Sequence, residues 1–356
     1  MKDWREGLRR VEPYTPGEQP KDAKMIKLNT NENPFPPSPK VEEALRRVAD
    51  RAEEQRLYPD PTAGELVAAI AKHCKVEEEQ VFVGVGSDDV LALCYLTFFN
   101  TKQPILFPDL TYSFYPVWAN CFGVPFETVP VDEKLRIRAE DYLGKEAGGI
   151  IFPNPNAPTG CAMEVSEVEK IVAGNPHCVV IVDEAYVDFG AESAAELLPK
   201  YDNLLVVQTF SKSRQMAGMR IGYALGSKEA IRALLDVKYA FNSYTMSRAA
   251  IAAGTAAVRD NAYFKKTCKR IEGIREWTGV ELGRLGFTVP ESKANFLFVT
   301  HKKKSAKALQ ASLRERHIYV RWFDLPRARD YLRITIGTEE QMKALIGALE
   351  DILHGK

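Results

Sequence analysis

The stretch TFSKSRQMAGMR, residues 209–220, sets Lys212 between two serines, with Arg214 and Arg220 close behind it. A lysine on a solvated face needs no explanation. This one, however, follows Leu204–Val207, an apolar run that reads as the end of a buried strand. An ammonium carried there beside other cations loses hydration, and both effects disfavour its charge. Free lysine titrates near about 10.4; pushed downward, the amine becomes a nucleophile and a base.

Three more stretches bring chemistry to strand ends. In VVIVDEAYVDF, 179–189, four apolar residues end in Asp183, and Tyr186 follows three positions later. A carboxylate at a buried strand end is costly unless paired, so Asp183 either caps a helix or meets a cation. GVGSDD, 84–89, is a glycine turn opening a helix. The free N–H groups around Gly86, Ser87 and Asp88 form a phosphate cradle, or Ser87 or Asp88 merely caps the helix. FPNPNAPTG, 152–160, reads as a turn stiffened by three prolines. Together these stretches hold an amine, a buried acid, a phenol, and an anion site of helix end, hydroxyl (Ser211) and guanidinium (Arg220). Pyridoxal phosphate needs that set: a Schiff-base lysine, a carboxylate on the pyridinium proton and a phosphate anchor.

The elements that must position these residues alternate in type. VFVGVG precedes a helical pattern at Ser87–Phe99, PILF one around Tyr112–Cys121, and GGIIF, past the proline loop, one at Val165–Ala173. CVVIV, LLVVQ and MRIGYAL follow, then the helical Lys228–Val237. Strands alternating with helices predict an α/β fold with a mostly parallel central sheet and ligands at the carboxyl ends of its strands. From about residue 260 the text changes to a long helical pattern, Tyr263–Leu285, then NFLFV, the helix Ser305–Glu315, YVRW, YLRITIG and a last helix at Glu339–Leu353. A smaller α+β domain is expected there. The division is an N-terminal arm at 1–38, ahead of a helix at Val41–Glu54, a large domain at 39–258 and a small one at 259–356.

Bulk composition excludes several classes. Lys+Arg and Asp+Glu both number 48, so no global field draws the chain to nucleic acid or to an anionic membrane. Six scattered cysteines without a CxxC pair suit a reducing compartment, and five dispersed histidines give no metal-ligand spacing. HKKK, 301–304, reads as a solvated turn. With no apolar leader and no run long enough to span a bilayer, a cytoplasmic location is expected.

Read in order, GSDD, Tyr112, N-P-N-A-P-T-G, D-E-A-Y, S-K and R-I-G resemble the fold-type I, aspartate-aminotransferase-like family of pyridoxal-phosphate enzymes over nearly the whole chain. EPYTPGEQP (12–20), KLNTNENPF (27–35), LYPDPT (57–62) and YLRITIGT (331–338) narrow the resemblance to members that transaminate a phosphorylated amine, with 2-oxoglutarate as acceptor. The resemblance implies that Lys212 carries the cofactor, Asp183 pairs with the ring nitrogen, Tyr186 bonds the ring phenolate oxygen and Tyr112 stacks on the ring. It further implies that Gly86, Ser87, Asp88, Ser211 and Arg220 hold the phosphate, and that Tyr58 reaches the phosphate of the other subunit of a homodimer. Arg333, joined by Arg321, would grip anionic substrate ends, and Tyr14 with Asn31–Asn33 would close the pocket. One position departs from the family: Ala157 stands where relatives place Asn directly before Pro-Thr-Gly. Either Asn156 reaches the ring oxygen or Tyr186 holds it with less help. A decarboxylase acting on a phosphorylated amino acid shares much of the pattern, as does an aminotransferase for aromatic amino acids. The ligand-sensing half of a transcription regulator would need a DNA-binding module, for which the arm is too short.

Overall fold

A computed structural model describes residues 3–21 and 23–355. In chain order the elements are β1 (Ile26–Leu28), α1 (Pro39–Ala49), α2 (Gly64–Cys74), β2 (Val81–Gly84), α3 (Ser87–Phe98), β3 (Ile105–Pro108), α4 (Phe114–Phe122), β4 (Phe126–Val129), β5 (Gly149–Pro153), α5 (Val165–Gly174), β6 (Val180–Asp183), β7 (Leu204–Thr209), β8 (Gly222–Leu225), α6 (Lys228–Phe241), α7 (Arg248–Arg259), α8 (Asn261–Arg284), β9 (Phe287–Thr288), β10 (Phe296–His301), α9 (Ala306–Glu315), β11 (Ile318–Trp322), β12 (Tyr331–Thr335) and α10 (Glu339–His354).

Seven strands form one sheet in the order β2-β8-β7-β6-β5-β3-β4. β7, β6, β5, β3 and β4 pair in parallel, whereas β8 runs antiparallel to both its neighbours. The apolar runs that fill these strands are buried on both faces. Val180, Val182, Leu204 and Val206 enter one core with α2, α5 and α7; Ile181, Leu205 and Val207 enter the other with α3, α4 and α6. Period-2 side chains with both faces covered are what a parallel sheet between helical layers demands. The reversed β8 has a consequence for the site: running antiparallel, it begins at the carboxyl ends of the parallel strands, Gly222 opposite Thr209, and so keeps Arg220, just before it, at that edge.

The second sheet, β1-β11-β12-β10-β9, takes its first strand from near the N-terminus. β1 pairs in parallel with β11, Ile26 opposite Ile318. Leu297, Val299, Ile318, Val320, Leu332 and Ile334 turn one face toward α8, α9 and α10. On the alternate face, Arg321 and Arg333 are direct partners across β11 and β12.

Two helices escape the sequence reading, α2 and the alanine-rich α7; α7 packs on both α1 and α2. The helical text at Val41–Glu54 divides instead, into α1 and a 3-10 turn at Ala52–Arg56. Among the described residues, no helix is long and apolar enough to cross a membrane.

Candidate active site

A cavity of about 230 Å³ opens at the carboxyl ends of the parallel strands, where the second sheet meets the first. Lys212 enters it from the turn after β7. Its Nζ lies 3.4 Å from the Thr30 carbonyl oxygen and 5.9 Å from the centre of the Tyr186 ring. Among the described residues no carboxylate forms an ion pair with this ammonium. The crowding of cations expected from the sequence does not occur around it. Arg214 turns away, donating to the Ala257 carbonyl at 3.0 Å and packing its guanidinium on Phe264, while Arg220 reaches toward α3.

Asp183 ends β6, 4% exposed. Tyr115 Oη donates to its Oδ2 at 3.0 Å and the Ala185 N–H to its Oδ1 at 3.2 Å. Burial pushes this carboxyl up to about 6, against the lowering effect of those two donors. A buried acid at a cavity wall with no cation beside it is an unfinished pair, and a protonated ring nitrogen would complete it. Tyr186 is oriented by Asn31, whose Nδ2 donates to the phenol oxygen at 2.9 Å. Asn31 is itself fixed: it adopts φ +58°, its N–H donates to Thr335 Oγ1 at 3.0 Å, and that hydroxyl donates back to Asn31 Oδ1 at 3.0 Å. Asparagine tolerates this left-handed conformation better than most residues.

The anion cradle lies at the N-terminus of α3. Gly86 precedes the helix at φ +87°, and a Cβ there would sit 2.5 Å from the Arg220 guanidinium. Gly222 lets β8 approach: a Cβ on it would meet the Ser87 nitrogen at 2.3 Å. Ser87, Asp88, Ser211 and Arg220 all line the cavity. Arg220 spans from Asp88 Oδ2, 3.3 Å away, toward Ser211 Oγ at 3.5 Å. Tyr112 Oη donates to Asp88 Oδ1 at 2.9 Å, which fixes the ring at the cavity wall. Free N–H groups, a hydroxyl and a guanidinium converging on one space form a phosphate site. Amine, acid and anion cradle thus fit pyridoxal phosphate.

At the other end of the cavity stand Arg333 and Arg321. Arg333 donates to the Asn29 carbonyl at 3.0 Å, while its Nε is buried without a partner. Burial, and then Arg321, push its guanidinium below the ordinary arginine range. Like charges directly opposed across strands destabilise a sheet, and among the described residues neither arginine has a carboxylate in ion-pair reach. Such a pair is arranged for an anion from outside. Tyr14 completes this end, stacked on Phe114 with ring centres 4.2 Å apart.

Four expected residues lie off the cavity wall. Gly86 acts through its conformation. Asn33 donates to the Lys212 carbonyl at 3.0 Å and so braces the lysine turn from behind. Asn156 corrects the sequence expectation: its amide donates to the Leu110 carbonyl at 2.9 Å and accepts from Thr111, so it ties loops together while Ala157 faces the cavity. Tyr58 is 78% exposed, stacked on Tyr244. Sequence reasoning in turn overlooked Tyr115 and Glu32. Tyr115 follows Tyr112 by three positions on the opening turn of α4, but nothing in its spacing points to Asp183. Glu32 sits inside KLNTNENPF, between the two asparagines singled out there.

The model of the family "Aminotransferase class I and II" matches residues 23–349. A histidinol-phosphate aminotransferase of Aromatoleum aromaticum is 52% identical over 354 residues, covering 99% of each chain. The crystal structure of histidinol-phosphate aminotransferase from Sinorhizobium meliloti, in complex with pyridoxal-5'-phosphate, superposes with TM-score 0.84 at 25% identity, over 93% of this chain and 91% of that one. L-threonine-O-3-phosphate decarboxylase from Porphyromonas gingivalis superposes with TM-score 0.77 at 22% identity, over 93% of this chain and all of that one. The last likeness concerns the fold alone.

Proposed function

This chain belongs to the aminotransferase class I and II family, and we propose that it transfers the amino group of L-histidinol phosphate to 2-oxoglutarate, giving imidazole acetol phosphate and L-glutamate in histidine biosynthesis. The observation that carries this reading is the sharing of one cavity by Lys212, Asp183 and the opposed pair Arg321–Arg333. The identity of about half to histidinol-phosphate aminotransferases along the full chain supports the choice of substrate.

Pyridoxal phosphate, when bound, supplies an aldehyde that exchanges between amines and a protonated ring that withdraws electrons from the substrate's α-carbon. Lys212 would hold it covalently through Nζ, Asp183 would keep its ring nitrogen protonated, and Ser87, Asp88, Ser211 and Arg220 would hold its phosphate. Tyr186, held by Asn31, would donate to the ring oxygen, and the Tyr112 ring would stack. As a free amine, Lys212 Nζ would be the base that takes the α-carbon proton. Arg333 and Arg321 bind the substrate phosphate in one half-reaction and a carboxylate in the other, since a guanidinium fork suits both.

We further read the chain as a cytoplasmic homodimer in which Tyr58, exposed here, reaches the partner subunit's site. The arm to residue 38 and the stretch beyond 259 would together form the small domain. The test is an assay of purified protein with histidinol phosphate and 2-oxoglutarate. Acceptor-dependent glutamate formation is expected; carbon dioxide release from threonine phosphate, independent of the acceptor, would assign the chain to the decarboxylases instead.

A further inference from the structure

The segment Asn29–Asn33 crosses the cavity between the two ends just described. Its Asn29 carbonyl meets Arg333, its Thr30 carbonyl faces Lys212 Nζ, and its Asn31 amide holds Tyr186. From the same segment Glu32 also lines the cavity. Two other carboxylates do so, and both are committed: Asp183 to Tyr115 and the Ala185 N–H, Asp88 to Tyr112 and Arg220. Glu32 differs. Lys27 and Thr30 both bond its Oε2, Thr30 at 2.7 Å, which leaves Oε1 free of any protein donor among the described residues. The side chain keeps 43% of its surface accessible. Against a raising effect of burial, those donors and then the Lys212 charge hold the carboxyl below its ordinary range, so it stays ionised at neutral pH.

Lys27 pairs with the charge, yet an acceptor oxygen left open in a pocket built to receive phosphates and carboxylates has a use only where part of a substrate donates a hydrogen bond to it. The α-carbon of histidinol phosphate carries three heavy-atom arms. The amine must meet Lys212, and the phosphate end is drawn to Arg333 and Arg321. Since Asn29–Asn33 touches both of those groups, the third arm, an imidazolylmethyl group, hangs from a carbon held alongside this segment. We propose that Glu32 is the specificity residue for that arm, with Oε1 accepting the imidazole N–H; the inference rests on the histidinol-phosphate reading above. The same carboxylate repels an anionic third arm, so in the other half-reaction it works against the second carboxylate of 2-oxoglutarate instead of assisting it. A charge-assisted acceptor of this kind favours a ring that carries the donor over one that lacks it, because only the first gives Oε1 a hydrogen bond within the pocket.

The test compares Glu32→Gln with the wild-type holoenzyme, rates being normalised to bound cofactor measured by absorbance. The substrates are L-histidinol phosphate and L-phenylalaninol phosphate, which carries a ring of similar size without an N–H; a compound not turned over is measured as a competitive inhibitor. The expected result is a loss of about tenfold or more in kcat/KM for histidinol phosphate, a change within about twofold for phenylalaninol phosphate, and an unchanged or lower KM for 2-oxoglutarate. Equal losses on both amines would reduce Glu32 to a tie for Lys27 and overturn the proposal, as would no loss on histidinol phosphate. Wild-type enzyme that turns over neither histidinol phosphate nor its keto product would remove the substrate reading itself, and this inference with it.

Discussion

Tyr115 donates a hydrogen bond of 3.0 Å to the inner oxygen of Asp183, and both residues are buried. The phenol is held firmly protonated, first by burial and then by the Asp183 charge, so it remains a donor throughout the working range. It is therefore a positioning residue for the acid that faces the cofactor ring. Tyr115→Phe deletes one oxygen, leaves the ring in place, and deprives the ionised carboxylate of one of its two donors. The Asp183 carboxyl should rise above about 6, and cofactor affinity should fall by about tenfold, the worth of one charge-assisted hydrogen bond. Equilibrium titration of the apoprotein with pyridoxal phosphate at several pH values checks this; the deficit should shrink as pH rises and Asp183 ionises fully.

Without its cofactor, the protein keeps Asp183 as a buried acid titrating near 6 rather than the 3.8 of an exposed one. The folded state thus binds this proton more tightly than the unfolded chain does. The group favours folding below about pH 4, and that contribution is lost as pH rises toward 6, by about 3 kcal/mol in all. Asp183→Asn cannot ionise. The apoprotein of this variant should gain on wild type in urea midpoint between pH 4 and about 6.5, with a constant advantage above. A difference independent of pH would contradict the assignment of the charge to this residue.

Lys212→Ala should give protein that binds pyridoxal phosphate reversibly but shows no transamination. After borohydride, the intact mass of wild type should rise by the cofactor, and that of the variant should not.

The large sheet was legible, apart from its edge strand β4 with the half-polar text FETV, because its other strands are short apolar runs, and the sheet collects the polar signatures beside them on one edge. Lys212, Asp183 and Ser87 could therefore be placed together from spacing, before any contact was known. α2 and α7 were not legible. The Ala and Gly residues of α7 give a weak apolar stripe, and its helical state is settled by packing so close that a Cβ added at Gly254 would lie about 3.0 Å from Leu66 and Ile221. Asn156 misled for another reason. Adjacent residues in an irregular loop point in unrelated directions, so one position decides whether an amide faces the cavity or, as here, the Leu110 carbonyl. Tyr115 was missed because a long-range bond, 68 residues apart in sequence, leaves no local period.

The opposed arginines predict a division of labour. Arg333, with a buried unpartnered Nε and aromatic rings of Phe296 and Phe323 against its guanidinium, is held in one orientation. Arg333→Lys keeps a charge but loses the fork, and KM should rise by about ten- to a hundredfold for both histidinol phosphate and 2-oxoglutarate, with kcat within a few-fold. Arg321→Ala should raise KM for the dianionic phosphate more than for the carboxylate. Steady-state kinetics with each substrate varied in turn measures both.

The cofactor cradle depends on a side chain that is missing. Gly222 opens β8 at a point where any Cβ would lie 2.3 Å from the Ser87 nitrogen and 2.4 Å from the Gly86 carbonyl carbon. Those are backbone atoms, unable to swing aside as a flexible side chain would. Gly222 does not use a left-handed conformation, so alanine there is penalised by contact alone. Gly222→Ala must therefore push the N-terminus of α3 away from β8, spreading the N–H groups of the phosphate site from the Arg220 guanidinium. Pyridoxal phosphate affinity should drop by about tenfold or more, and thermal stability should fall by an amount that saturating cofactor only partly restores. Gly218 supplies the control from the same loop. It is exposed and a Cβ on it meets nothing within 4 Å, so Gly218→Ala should leave both the affinity and the melting temperature where they are. If the two alanine variants bind the cofactor equally well, close approach of β8 to α3 is not what shapes the phosphate site.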